Sequence, residues 1–290
     1  MLSLNGAKVS TAAVGANAPA GGSRLARIWY WRSGLALIDG RMRMRNEQPD
    51  DLPRLLDAGD GGLVVELGST ISEATNRQVI ALGDALGRLA LPGIIEIVPT
   101  YRSLLVLFDP LALPRATLRD EVHRLWPPRV ADSERRGHWR VPVHYGGEHG
   151  VDLEGVARTH GLAPDEVVAL HSGAEYRVYM IGFAPGFAYL GGLPDAIHTS
   201  RRTDPRLKTP PRSISIGGQQ TAISPPLEIP SGWHLLGQTP VRSYDPRRAD
   251  KPFLFAAGDV IRFAPVTADE YRDMSAAAEA GTEVAIWEPA

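Results

Sequence analysis

The chain contains no cysteine. Disulfides, thiolate metal sites and a cysteine nucleophile are therefore excluded, and a fold without disulfides fits a reducing compartment, so a cytoplasmic location is expected. No run of 18 apolar residues occurs, so no membrane span is expected. Charge of one sign is scarce as well. The formal net charge is −2 over 290 residues, and the basic pairs Arg135-Arg136 and Arg201-Arg202 are too short to form a polybasic patch. Neither nucleic acid nor an anionic membrane is expected as a partner. Several catalytic signatures are missing too. There is no GxSxG elbow for a serine hydrolase and no P-loop spacing for a nucleotide. None of the eight histidines pairs with another as HExxH, HxxxH or HxH, so no metal site is expected.

What is present is an ordinary globular composition, 43% hydrophobic and 22% charged, enough for one or two domains. Residues 1–51 stand apart. Met1 to Gly22 is rich in Ala, Gly, Ser and Asn without any period, and it lacks the pattern of a signal peptide. The expectation is a disordered extension, or an upstream misread start with the initiator at Met42 or Met44.

From Leu52 the pattern becomes regular. Leu63–Leu67 follows a Gly/Asp turn and reads as a strand. Ser72 is placed to N-cap a helix carried by Ile80, Leu82, Leu86 and Leu89 and stopped by Pro92-Gly93. Two strands, Ile94–Pro99 and Ser103–Asp109, lead to a second helix over Thr117–Trp126, ended by Pro127-Pro128. These elements predict a small α+β domain over residues 52–129. Val130–His138 is the expected linker. Beyond it, helices are expected at Asp152–His160 and Pro164–Ser172. Short apolar runs at Tyr176–Ile181, Ser213–Ile216, Leu235-Leu236, Phe253–Ala256 and Val260–Ala264, punctuated by Gly and Pro, predict a β-barrel or sandwich over residues 139–290.

Three segments of the second half carry the chemistry. In Gly182-Phe183-Ala184-Pro185-Gly186-Phe187-Ala188-Tyr189-Leu190, glycines permit close backbone approach and three rings either wall a pocket or plug one end of a barrel. In Ser213-Ile214-Ser215-Ile216-Gly217-Gly218-Gln219-Gln220-Thr221, a strand breaks at Gly-Gly into amides and hydroxyls suited to a lactam, a urea or a phosphoryl oxygen. In Ile229-Pro230-Ser231-Gly232-Trp233, the indole serves either the core or a pocket wall. His144 and His149 flank Tyr145–Glu148, with a structural and a binding role both open.

Together these segments, with Pro53–Asp60, Val98–Ser103, Val141–Glu148 and Pro252–Phe263, resemble the 5-oxoprolinase B-subunit family, also known as allophanate hydrolase subunit 1 or KipI. The resemblance spans Leu52 to Pro265. It implies a ferredoxin-like N-terminal domain followed by a cyclophilin-like barrel. It also implies membership of an ATP-dependent complex that opens 5-oxo-L-proline to L-glutamate with C-type and A-type partner subunits, ATP being used by the complex rather than clearly bound by this chain. Related readings are a carboxyltransferase subunit of a urea-carboxylase-like, allophanate-forming system and a KipI-like inhibitor of a histidine kinase. On this resemblance Gln220, Thr221 and Arg206 are the candidate catalytic residues. Phe183, Pro185, Gly186, Phe187, Tyr189, Ser213, Gly218, Trp233 and His144 are the candidate substrate-binding residues. The loops that carry them are expected to meet at the barrel mouth. The chain departs from the family pattern where a Gly is replaced by Arg212 beside Pro211, where a Gly and a Tyr become Ala222 and Ser224, and where an Arg becomes Gln238.

Overall fold

A computed structural model describes residues 35–38, 41–44, 52–130, 137–248 and 250–288. Within residues 1–50 it describes one antiparallel pair, β1 (Leu35–Ile38) and β2 (Arg41–Met44). The rest of the expectation for residues 1–51 lies outside the described residues, as do residues 131–136 of the expected linker.

Four strands open the remaining chain: β3 (Arg54–Asp57), β4 (Gly62–Glu66), β5 (Ile94–Pro99) and β6 (Ser103–Phe108). They form an antiparallel sheet in the order β3-β4-β6-β5. Strand alternation puts Leu104, Val106 and Phe108 on one face, where the two helices cover them. The first helix, α1 (Glu73–Arg88), begins at Ser72, whose hydroxyl accepts the Thr75 N–H at 3.1 Å. It buries Val79, Leu82 and Leu86 at helical spacing against the sheet. The second, α2 (Arg115–Arg124), starts two residues before the expected Thr117. Its first residue is held by the β3–β4 turn, because the Arg115 guanidinium donates to the carbonyls of Gly59, Asp60 and Gly62 and to Asp57.

The second half supplies, in chain order, β7 (His138–Tyr145), α3 (Leu153–His160), α4 (Pro164–Gly173), β8 (Glu175–Ile181), β9 (Ala188–Gly191), β10 (Arg206–Thr209), β11 (Ser213–Gly217), β12 (Gln220–Ile223), β13 (Ile229–Ser231), β14 (His234–Gln238), β15 (Val260–Pro265), α5 (Ala268–Glu279) and β16 (Ile286–Glu288). Seven of these strands close a barrel in the order β7-β15-β8-β9-β12-β11-β14, with β14 returning to β7. The β7–β15 pair is parallel and the other pairs are antiparallel. β16 adds to β7 outside the closure, and β10 with β13 makes a separate ribbon. Each barrel strand sends at least one fully buried side chain inward: Val141, Val178, Leu190, Ile216, Ile223, Leu236 and Ile261. The interior is a packed core, not a cavity.

Three expectations are corrected here. His138 is the first residue of β7, not the end of a linker. Phe253–Ala256 forms no strand, because the Asp259 carboxylate takes the Ala256 N–H at 2.9 Å and turns the chain; Phe253 keeps one isolated bridge to Tyr244. Helix α5 is an addition to the expected elements, although Thr267 and Glu270 form a capping box that the sequence displays.

One polar thread runs through the barrel interior. Tyr145 Oη lies 2.8 Å from His171 Nδ1, His171 Nε2 lies 2.9 Å from Thr221 Oγ1, and Thr221 Oγ1 donates to the Ser215 carbonyl at 3.0 Å. Because the threonine proton goes to Ser215, the histidine is assigned its proton on Nε2 and accepts from the tyrosine at Nδ1. Burial pushes the His171 imidazole down to about 3. The unfolded chain takes up this proton near pH 6.5 while the folded chain refuses it, so stability falls as pH drops from about 6.5 toward 3. His171→Gln is expected to reduce the pH slope of the unfolding free energy between pH 6 and 4 by about 1.4 kcal/mol per pH unit. Denaturant melts of both proteins across that range provide the check, and an unchanged slope would contradict the neutral buried imidazole.

Candidate functional site

Period-two alternation decides which groups are available on β12 and β9. Thr221 and Ile223 face the barrel interior, as do Ala188 and Leu190, whereas Ala222 and Tyr189 face outward. The outward face is covered by Phe187 from the first chemical segment and by Ile229 and Trp233 from the third. The three segments therefore converge, but on the outer wall of the barrel formed by β9, β12 and β11. The expected meeting point at the mouth is corrected on this point. Trp233 lies directly on Gly217, where an added Cβ would stand 2.7 Å from the indole, so only a glycine lets the ring lie this close. The rings pack edge-on, except that Phe187 is tilted at 54° to Tyr189. Phe187–Tyr189 centroids are 4.6 Å apart, Tyr189–Trp233 5.9 Å and Phe183–Phe187 5.7 Å.

The N-terminal sheet completes this wall. The turn between β5 and β6 carries Tyr101, whose ring meets Tyr179 and Tyr189 edge-on, each at 5.8 Å. Its hydroxyl donates to Gln220 Oε1 at 2.8 Å. Asn76 of α1 holds the turn in place by donating to the carbonyls of both Thr100 and Tyr179, at 3.1 and 3.0 Å. Burial raises the Tyr101 phenol well above its ordinary value, Tyr189 adds to that, and Arg201 opposes it. Burial likewise raises Tyr189 against the pull of Arg201. Both phenols are neutral donors at physiological pH.

Arg201 completes the group. Its guanidinium lies 5.6 Å from the centroid of Trp233, and among the described residues it makes no ion pair. It lines a cleft of about 480 Å³ together with His198, Thr199, Ser200, Arg202 and His234. The β11–β12 hairpin joins this cleft to the wall, because the Gly218 N–H donates to the Thr199 carbonyl at 2.6 Å. Gly218 itself takes φ +65°, as a two-residue hairpin loop requires.

The candidate residues thus divide. Gln220, Gly218, Phe183, Phe187, Tyr189 and Trp233 belong to one neighbourhood. Phe183 is exposed at the loop tip with φ +70°, and Pro185 beside it is also exposed. Gly186 is buried against Ser243 and Tyr244. Thr221 is fully buried, with its hydroxyl committed to His171 and Ser215 inside the barrel. Ser213 is also fully buried and donates to the Pro210 carbonyl at 2.7 Å. Arg206 is held by a bidentate pair with Asp152 at 2.8 Å, and Arg202 reaches the same carboxylate at 3.2 Å. Burial alone would raise the Asp152 carboxyl; hydrogen bonds from Arg206 and the Leu235 N–H, with both arginine charges, outweigh it and hold the pKa down. His144 lies in a different cluster, its ring 5.2 Å from His149 and 5.9 Å from Tyr271. Among the described residues no group of three or more His, Cys, Asp or Glu is placed to hold a metal ion.

Two residues of this neighbourhood lie outside the sequence candidates. Tyr101 stands in the motif Val98–Ser103, and Arg201 reads locally as half of a solvated basic pair.

The departures from the family pattern also find a structural account. Arg212 sits at φ +60°, a conformation that suits the glycine it replaces. Its guanidinium pairs with Glu279 of α5 at 3.2 Å. Gln238 donates to the Pro211 carbonyl at 2.8 Å and accepts from Tyr271 of α5 at 3.1 Å. Both substitutions anchor α5 on the barrel and leave the aromatic wall untouched.

The chain has known relatives. The family model described as carboxyltransferase domain, subdomain C and D, matches residues 53–255, and the chain belongs to that family. More narrowly, it belongs with the 5-oxoprolinase B-subunits. It is 35% identical over 224 residues to the 5-oxoprolinase B-subunit of Bacillus subtilis (strain 168), covering 73% of this chain and 92% of that protein. It is 39% identical over 210 residues to that of Escherichia coli O157:H7, covering 71% and 93%. Among solved structures, the Kluyveromyces lactis urea carboxylase shares the fold with a TM-score of 0.69 at 19% identity, over 88% of this chain and 26% of that one.

The strained arginine yields a stability test. Arg212→Ala keeps a Cβ at φ +60° and loses the ion pair, whereas Arg212→Gly removes the strain. The Gly variant is expected to be about 1 kcal/mol more stable than the Ala variant in denaturant melts. An Ala variant at least as stable as the Gly variant would contradict the assigned backbone conformation.

Proposed function

We propose that this chain is the B-type component of an ATP-dependent 5-oxoprolinase complex, which opens 5-oxo-L-proline to L-glutamate together with C-type and A-type subunits. The observation that carries the reading is the identity to 5-oxoprolinase B-subunits along more than nine-tenths of their length. The site chemistry supports it. A lactam carbonyl is a stabilised amide with a good acceptor oxygen, and the outer wall offers neutral donors in the Tyr101–Gln220 pair. Among the described residues the Gln220 side-chain nitrogen has no partner and is free to donate. Phosphorylation of the lactam oxygen by ATP activates the ring carbon to water. Addition of water and breakage of the C–N bond leave an acyl phosphate, whose hydrolysis gives glutamate and phosphate.

On this reading the chain is one part of an amide hydrolase, inactive by itself, acting in the cytoplasm with ATP bound elsewhere in the complex. Among the described residues no helix is long and apolar enough to cross a membrane. The sheet of residues 52–129 would serve as a ferredoxin-like domain and residues 139–290 as a cyclophilin-like barrel domain. Of the three candidate catalytic residues, this reading assigns substrate contact to Gln220, while Thr221 supports β12 from within and Arg206 braces the start of α3 through Asp152.

A second reading is carboxyl transfer to urea or a similar amide, favoured by the carboxyltransferase description of the family model. One assay separates the two. The complex reconstituted with its C-type and A-type partners is expected to release glutamate from 5-oxo-L-proline only when ATP is present. No release with all partners present, together with bicarbonate-dependent carboxylation of urea once a biotin carrier and its carboxylase are added, would overturn the hydrolase reading.

A further inference from the structure

We propose that Arg201 is the carboxylate-recognising residue of this site, and that its ligand is a small amide bearing a carboxylate. The inference deepens the lactam-hydrolase reading and rests on it for the identity of the acid.

Three arginines cluster where the wall meets the cleft, and two of them are spent. Arg202 and Arg206 share the Asp152 carboxylate, which also accepts the Leu235 N–H. Both guanidiniums are thereby held in ion pairs within the fold. Arg201 makes no ion pair among the described residues, although it is next to Arg202 in sequence and lines the same cleft. Its guanidinium carbon lies over the Trp233 ring, 5.6 Å from the centroid, a cation–π contact that uses none of its N–H donors. An Arg that rests on an indole and has no carboxylate partner of its own is suited to a planar carboxylate, which it can take by two parallel hydrogen bonds.

The surroundings set what the rest of the ligand must be. Arg201 lies 5.6 Å from the Trp233 ring, which meets Tyr189 at 5.9 Å, which in turn meets Tyr101 at 5.8 Å, so the guanidinium and the Tyr101–Gln220 pair belong to one neighbourhood. A ligand reaching from one to the other needs an anionic end and a neutral, amide-like end. The cleft volume of about 480 Å³ lies in the range of small-molecule sites. Besides Arg201 its walls carry Thr199, Ser200, His198 and His234, the ion-paired Arg202 and one carboxylate, Asp204, which makes no ion pair with Arg201. The Nε2 atoms of both histidines are engaged by backbone carbonyls, His234 by Ser200 and His198 by Leu193, each at 2.9 Å. That leaves Arg201 as the cleft arginine that is not already ion-paired among the described residues.

The test compares two rings that differ by one group. The full-length chain, alone and with its companion subunits, is titrated with 5-oxo-L-proline and with 2-pyrrolidinone, the same lactam without the carboxylate. Binding is followed by NMR on arginine-labelled protein. The acid is expected to bind at least about tenfold more tightly, the range of a charge-assisted contact. Arg201→Ala should abolish that preference and leave the affinity for 2-pyrrolidinone unchanged; Arg201→Lys should restore part of it. Arg201→Gln provides a second neutral variant should the Ala protein fold poorly. Equal affinity for the two rings, a preference that survives in Arg201→Ala and Arg201→Gln, or tighter binding of inorganic phosphate than of the acid would each overturn the assignment. A complex that releases no glutamate yet shows the Arg201-dependent preference would defeat the hydrolase reading and support this one.

Discussion

The amide of Asn76 is the tie on which the site depends. This fully buried side chain sits on the first helix, and its two N–H groups reach one carbonyl in the sheet turn and one in the barrel wall. A buried amide donates to both because leaving either carbonyl unpaired would cost on the order of 1–3 kcal/mol. Once the turn is pinned there, Tyr101 has one place to go, between Tyr179 and Tyr189 with its hydroxyl on Gln220. The small sheet is thus a structural wall of the site as well as a neighbour of the barrel.

The barrel contributes by being full. Its interior is closed by branched aliphatic side chains and one satisfied polar thread, so no ligand space remains inside. Binding chemistry is displaced to the outside, where β9, β12 and β11 would otherwise expose a flat surface. Glycine at position 217 brings the Trp233 indole down onto that surface, and Arg201 lies over the indole. A cation, a set of neutral phenols and a free amide then share one neighbourhood. That combination suits an acid that is also an amide, in keeping with relatives named for 5-oxoproline chemistry.

Much of this is legible in the sequence. Ser72 and the spacing of Leu82 and Leu86 announce the first helix, and the Gly- and Pro-punctuated apolar runs announce the barrel. The meeting of Phe187, Tyr189, Gln220 and Trp233 follows from residue type. Their place on the outer wall does not, since it depends on barrel closure through a parallel pairing of strands more than a hundred residues apart. Alternation along β12 is a further signal in the sequence. It means that Gln220 and Thr221 point in opposite directions, so the two could never share a ligand. Which arginine remains free is beyond reach from local sequence. It turns on Asp152, about fifty residues upstream, choosing Arg202 and Arg206 and leaving Arg201.

Tyr101 and Gln220, 119 positions apart in the chain, act as one unit joining sheet and barrel wall, and the rest of the site is arranged around that bond. A double-mutant cycle on unfolding free energy measures this directly, using Tyr101→Phe, Gln220→Met and the combined variant. A coupling of at least about 0.5 kcal/mol is expected, as for residues in contact. Single effects that add to within about 0.3 kcal/mol, the behaviour of independent sites, would contradict it.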